Sequence, residues 1–250
     1  MERSLTIMEL LYDDEEFFNQ YKQVRSNPLS YNEVVEMPEM KRALPDLENR
    51  TILDIGCGLG HLIEHMLTHS PETVTGVDAS RRMISHCKSH FDREDVTFLH
   101  GDFTEMPWKA QFDVITSSLV FHYIEDFNAL CSKLAGILKP GGTLLFTMEH
   151  PITTAGKTPH IKVDGVAHKV DHYFEEGERS AYWSGIETYV GKYHHTIETL
   201  FNALIQNGLS IDYVKDLGQS PEVLELYSEE RIEKLSHFPP FILIRCKKAS

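Results

Sequence analysis

Apolar and polar residues are grouped along the chain in short blocks of two kinds. TILDI (51–55), TVTGVD (73–78), VTFLHGD (96–102), FDVITSS (112–118) and TLLFTMEH (143–150) are runs of five to eight residues rich in β-branched and aromatic side chains. Such runs predict strands. Between them, apolar residues recur three and four apart, which predicts helices near 59–69, 80–90 and 126–138. KPGG (139–142) predicts a turn, with Pro140 ending the helix before it. Strands alternating with helices imply a parallel sheet with right-handed crossovers.

The flanks carry a different pattern. Phe17, Phe18 and Tyr21 recur at helical spacing and predict a helix near 14–25, after which Pro28, Pro38 and Pro45 punctuate the chain. Residues 151–192 break the strand–helix rhythm with Gly156, Gly165, Gly177, Gly185, Gly191 and many polar aromatics, so an insertion follows the fifth strand, as a short β-ribbon or lid. A helix near 194–207, ended by Gly208, resumes the alternation. LSIDYVKDL (209–217) and FILIRCKK (241–248) then predict two more strands, with a helix near 221–235 between them. The expected organisation is a helical cap over 1–50 and one α/β domain over 51–250, with 151–192 on the side of a bound substrate.

Composition narrows the partners. A net charge of −14 disfavours nucleic acid and anionic membranes as partners, and no Lys/Arg run is longer than Lys247-Lys248. No stretch approaches the roughly 20 apolar residues that span a bilayer, and the acidic N-terminus has no apolar signal core. Cys57, Cys87, Cys131 and Cys246 match no zinc spacing and read as small buried hydrophobes of a reducing compartment. A cytoplasmic monomer or homodimer without a bound metal is expected.

The sharpest chemical signal is Asp54-Ile55-Gly56-Cys57-Gly58-Leu59-Gly60, which leaves a strand and enters a helix. Glycine lets the chain turn tightly and lets a ligand approach the backbone, and a helix N-terminus offers free N–H groups. A dinucleotide site would space its glycines G-x-G-x-x-G. G-x-G-x-G with a carboxylate two places ahead favours a ligand carrying a cationic amine and no phosphate. Asp78, followed by Ala79, ends the second strand, where a carboxylate accepts from both hydroxyls of a ribose, or caps the next helix. Gly101-Asp102 ends the third strand, where Asp102 would meet the exocyclic amine of an adenine and Met83 and Phe103 would flank its ring.

TILDIGCGLG, VTGVDAS, the HGDF turn, FDVITSSLVFHYI and LKPGGTLLFTMEHP, in that order over about 100 residues, closely resemble class I methyltransferases that use S-adenosylmethionine (SAM). The resemblance implies a Rossmann-like, doubly wound, seven-stranded, mostly parallel sheet with the last strand antiparallel. It implies that Gly56, Gly58 and Gly60 back the amino-acid end of SAM, with Cys57 between them. Asp78 would hold the ribose, Asp102 and Phe103 would meet the adenine, and Ser117 and Ser118 would lie near the methionine portion. Tyr21 and Arg25 look like the capping element that closes over SAM in many members. Residues 151–200 resemble a subgroup acting on small molecules, through His150-Pro151, Tyr173, the Gly177-Glu178-Arg179 run, Trp183 and KYHHT (192–196).

Methyl transfer is an in-line displacement that needs alignment and exclusion of water. It needs a base only when the nucleophile must lose a proton. The positions expected around a substrate are His122, Tyr173, Trp183, Tyr193 and His195, with His150 or His194 as the imidazole that removes or holds a proton. Two other readings stay open: a methyltransferase for protein or tRNA, and a SAM-binding protein without turnover.

Overall fold

The computed structural model describes residues 11–109, 111–156, 170–183 and 185–249. The first ten residues of the expected cap, and residues 157–169 and Ser184 of the expected insertion, lie outside these. Five strands pair in parallel in the order β3-β2-β1-β4-β5: β1 (Thr51–Ile55), β2 (Thr73–Asp78), β3 (Val96–His100), β4 (Phe112–Ser118) and β5 (Leu138–Glu149). Two further strands, numbered by chain order β8 (Leu209–Leu217) and β9 (Phe241–Lys248), complete the sheet, with β9 antiparallel to both β5 and β8. This is the seven-stranded, mostly parallel α/β sheet that the family resemblance implies. β6 (Gly177–Trp183) and β7 (Thr188–His194) form a separate antiparallel ribbon after β5.

The helices begin where side chains satisfy their free N–H groups. α1 (Glu15–Ser26) is capped by Asp14, which accepts from Phe17 N–H. Two more helices follow in the N-terminal segment and α3 (His61–Leu67) follows the glycine turn. α4 (Arg81–His90) is capped by Ser80, and α5 (Phe127–Ile137) by Asp126. Thr196 caps α7 (Ile197–Gln206), and Gly208 follows it at φ +75°, where a Cβ would be strained. Side chains alternate along the central strands and bury both faces of the sheet. Leu144, Phe146 and Met148 of β5 pack with Phe121, Phe127 and Leu200 on one side, while Leu145 packs with Met40, Met66 and Leu243 on the other. All four cysteines are buried and free. Among the described residues no helix is long and apolar enough to cross a membrane.

Three segments differ from expectation. Residues 32–43 are helical: a π-helical turn (Asn32–Glu36) runs into α2 (Met37–Ala43), with Pro38 in the first turn, where its missing N–H costs nothing. KPGG is an outward excursion within β5, between the pairings Phe112↔Leu138 and Val114↔Thr143, so the helix ends before the proline, at Ile137. The single helix expected over 221–235 is two, α8 (Pro221–Leu226) and α9 (Glu229–His237). They part at Tyr227, whose hydroxyl donates to the carbonyls of Leu29 and Ser30 and so anchors the break to the N-terminal segment. One further short helix, α6 (Pro151–Thr154), leaves β5.

Candidate active site

The glycine turn after β1 is pinned from below. Gly56 and Cys57 N–H both donate to the Val77 carbonyl, at 2.7 and 3.0 Å, so the chain reverses over the end of β2. The reversal needs left-handed backbone: φ is +68° at Gly56, +53° at Gly58 and +86° at Gly60. Asp78 Oδ2 accepts from Gly58 N–H at 2.9 Å and Oδ1 from Ser80 N–H at 2.9 Å. Thus Asp78 braces the turn, and Ser80 rather than Asp78 caps α4.

Beside the turn, Asp54 is buried and accepts from Thr116 Oγ at 2.7 Å. Burial, offset in part by that bond and reinforced by Asp78 and Glu36, pushes its carboxyl up to about 7. Glu36, at the end of the π turn, is fully buried. Its Oε1 accepts from Ser118 Oγ and Thr147 Oγ1, at 2.9 and 2.7 Å, while Oε2 has no partner among the described residues. Burial raises its pKa as well. Above the turn, α1 brings Tyr21 and Arg25. Arg25 is 8% exposed; Nη2 donates to His61 Nδ1 at 3.1 Å and lies 3.4 Å from Glu33 Oε1. Its Nη1 is buried without a partner among the described residues.

One cavity of about 1380 Å³ runs from the glycine turn to the ribbon. That exceeds the roughly 300–1,000 Å³ of common ligand pockets and leaves room for two molecules side by side. Of the positions expected at a cofactor, Tyr21, Arg25, Asp54, Gly56, Cys57, Gly58, Asp78, Ala79, Met83, Gly101, Asp102 and Phe103 all line it. Ser117 does not: its hydroxyl donates to the Ile55 carbonyl at 2.9 Å and ties β4 to β1. Its neighbour Ser118 faces the cavity. Asp102 Oδ1 accepts from Thr104 N–H and Oγ1, which holds the turn after β3.

On the substrate side only His122 and Trp183 reach the cavity among the expected positions. His150 and His194, expected as bases, are turned away. His150 caps α6, accepting from Ile152 N–H on Nδ1 while Nε2 meets Asp216 at 3.1 Å. His194 is fully buried, with Nδ1 on Thr154 Oγ1 and Nε2 donating to the Tyr173 carbonyl, both at 2.8 Å. Neither ring keeps a lone pair for a substrate. His195 donates to the Ile124 carbonyl, and the Tyr173 hydroxyl accepts from Ile197 N–H. Tyr193 projects from the outer side of β7, opposite to Lys192, and meets Glu125.

The cavity draws instead on residues the sequence reading passed over. Glu149, one residue before His150, lines it, as do Lys192 and Tyr123. Lys192 Nζ donates to Glu149 Oε2. The signal for Glu149 was available: a histidine before Pro151 is placed to cap a helix, so the preceding residue is the last of the strand. Nothing local identifies Lys192. Across the top, Trp183 meets the rings of Phe17 and Tyr21 edge-on at 6.3 and 6.1 Å, joining ribbon to α1.

The chain is similar to known methyltransferases. A family model described as a methyltransferase domain matches residues 53–146. A protein of Haemophilus influenzae, itself uncharacterised, is 34% identical over 95% of this chain and 96% of its own. The crystal structure of an S-adenosylmethionine-dependent methyltransferase from Mesorhizobium loti superposes with a TM-score of 0.77 at 29% identity, covering 85% of this chain and 97% of that one. The malonyl-[acyl-carrier protein] O-methyltransferase of Halalkalibacterium halodurans is 33% identical over 48% of this chain and 46% of its own, so the match spans about half the length of that relative. The chain belongs to the class I SAM-dependent methyltransferases.

Proposed function

We propose that the enzyme transfers the methyl group of SAM to a small molecule enclosed between α1, the ends of β4 and β5, and the ribbon. The observation that carries this reading is the joined roof, in which Trp183 of the ribbon packs on Phe17 and Tyr21 of α1 over the glycine turn. A roof closed from both sides suits an acceptor that is swallowed whole. With SAM and an extract of small metabolites, label from the methyl group is expected in the small-molecule fraction. The relative named for malonyl-[acyl-carrier protein] sets the competing outcome: label retained on a protein or RNA band overturns the reading.

The residues present fit SAM. Its sulfonium supplies an activated methyl group, and the chain has only to hold, align and keep water out. Arg25, buried with Nη1 unpartnered, suits the carboxylate of the amino-acid end. The open space over Gly58, whose nearest neighbour to an added Cβ is the Tyr21 hydroxyl at 3.8 Å, suits the close approach of that end. Asp54 suits the ammonium, Asp78 the ribose, and Met83, Asp102 and Phe103 the adenine.

The raised carboxyl of Asp54 gives this assignment a pH signature. With a folded pKa of about 7, Asp54 holds a proton that the unfolded chain has already released. The ligand-free fold therefore loses stability from this group as pH rises through about 7. A cationic amine beside it favours the ionised form, so affinity for S-adenosylhomocysteine is expected to rise about tenfold between pH 6 and pH 8 and then level off. Calorimetric titration checks this, and Asp54→Asn is expected to flatten the profile. An unchanged slope in that variant removes Asp54 from the ligand site.

A further inference from the structure

The ribbon carries a charge arrangement that the cofactor does not use. β6 and β7 pair with Arg179 directly opposite Lys192 and Ala181 opposite Val190. Both cations lie on the inner face, 5% and 9% exposed, and line the cavity. Like charges directly opposite on paired strands repel, and burial strengthens the repulsion. Among the described residues, the one carboxylate hydrogen-bonded to either is Glu149, which accepts from Lys192. Among the described residues, Arg179 donates to the carbonyls of Ala155, Glu175, Gly177 and Glu178, and the carboxylates of Glu175 and Asp171 favour its charge. Lys192 has three N–H donors and, among the described residues, gives one to Glu149, so donors remain on this wall.

His122 stands beside them. Glu149 N–H donates to its Nδ1 at 3.3 Å, so the neutral ring carries its proton on Nε2. Burial, only partly offset by Glu149, pushes the ring down to about 4. Near neutral pH it is a donor and has no lone pair to act as a base. Among the described residues no group accepts from Nε2. On the same face of the ribbon, Ala181, Trp183 and Val190 give the cavity an apolar flank.

We propose that the methyl acceptor is a carboxylic acid, bound as its carboxylate by Lys192 and the Nε2–H of His122, with an apolar body lying along Ala181, Val190 and Trp183. This rests on the reading of the cavity as a methyl-transfer site for a small molecule. A carboxylate oxygen forms the new bond to the methyl carbon, the sulfur–carbon bond breaks with its electron pair left on sulfur, and the products are a methyl ester and S-adenosylhomocysteine. The negative charge of the acid cancels the sulfonium charge and no proton moves. A base is therefore unnecessary, in keeping with three histidines whose lone pairs are committed. An ammonium acceptor would have to lose a proton beside Lys192.

The test uses the whole protein saturated with S-adenosylhomocysteine. Hexanoate, octanoate and phenylacetate are titrated by calorimetry, each against its primary amide and its primary amine. At least one acid is expected to bind roughly tenfold tighter than both analogues, the size of one charge-assisted hydrogen bond. Lys192→Met is expected to erase that preference while S-adenosylhomocysteine affinity stays within about twofold, and Lys192→Arg to retain much of it. With SAM, the favoured acid is expected to yield its methyl ester, identified by mass spectrometry. If no acid outbinds its amide and amine, or if Lys192→Met binds acids as tightly as the unaltered protein, the proposal is wrong. Should Lys192→Met fail to fold, the acid-against-amide comparison on the unaltered protein decides alone. Failure of the protein to bind S-adenosylhomocysteine at all, or label on a macromolecule, would strike the underlying reading instead.

Discussion

Gly56→Ala is expected to lower the melting temperature of the ligand-free protein by roughly 5–15 °C. Two costs add. The backbone at Gly56 sits at φ +68°, where an L side chain costs about 1–2 kcal/mol. An added Cβ would also lie 2.3 Å from Val120 Cγ2, and overpacking of this kind costs about 1–3 kcal/mol. The chain cannot relax freely, because Gly56 and Cys57 N–H are both held by the Val77 carbonyl. The two costs separate experimentally: adding Val120→Ala removes the 2.3 Å contact with Cγ2, leaving Cβ at 3.2 Å, but not the strained φ, so up to half the loss is expected to return. Gly191→Ala, which meets nothing within 4 Å, serves as the control and should melt like the unaltered protein. Thermal unfolding of all four proteins makes the comparison. A Gly56→Ala protein within about 2 °C of the unaltered one would show that the turn relaxes.

Asp78→Ala is expected to weaken binding of S-adenosylhomocysteine about a hundredfold, equivalent to about 2.7 kcal/mol. Asp78 does two things at once. Its oxygens accept from Gly58 and Ser80 N–H, which holds the turn and the start of α4 in place. The same carboxylate faces the cavity with lone pairs left for the two hydroxyls of a ribose. Alanine removes both acceptors and leaves the Gly58 N–H unpaired, and each lost partner costs about 1–3 kcal/mol. Asp78→Asn keeps the shape and one acceptor, so it should fall between. Calorimetry gives the affinities, and melting of the ligand-free variants shows how much of the change is structural. An affinity within about threefold of the unaltered protein would exclude Asp78 from ribose binding.

These two residues were legible without a structure, while the partners on the substrate side were not. The glycine spacing and the acid at the end of β2 are local features: a strand, a tight turn and a helix start follow each other directly, and the chemistry sits where they meet. By sequence His150, after the fifth strand, and His194, in the insertion, looked as suitable as His122, after the fourth. Their fates differ because the strand end beside His150 becomes a helix cap, and because the ribbon carries His194 past the cavity to Thr154 and the Tyr173 carbonyl. A shift of one residue along a strand sends a side chain to the opposite face. That is why Lys192 lines the cavity and Tyr193 does not.

The helix over 37–43 and the π turn before it show the same limit. Three prolines within 28–45 suggest irregular chain, yet Pro38 fits the first turn of α2, and the segment is held by packing of Val34, Val35 and Met40 against the sheet. Propensity is a weak prior against such burial.

By itself, then, the sequence determined the alternation of strands and helices, the glycine turn and the place of the insertion after the fifth strand, because each depends on hydrophobic period and turn chemistry within a few residues, while the seven-stranded sheet followed from the family resemblance. Only the tertiary structure decided which groups share the cavity. Lys192 meets Glu149 across 43 residues, and Glu36 meets Thr147 across 111. Such pairings are set by how separate elements pack and in what register, and no periodicity along the chain records them.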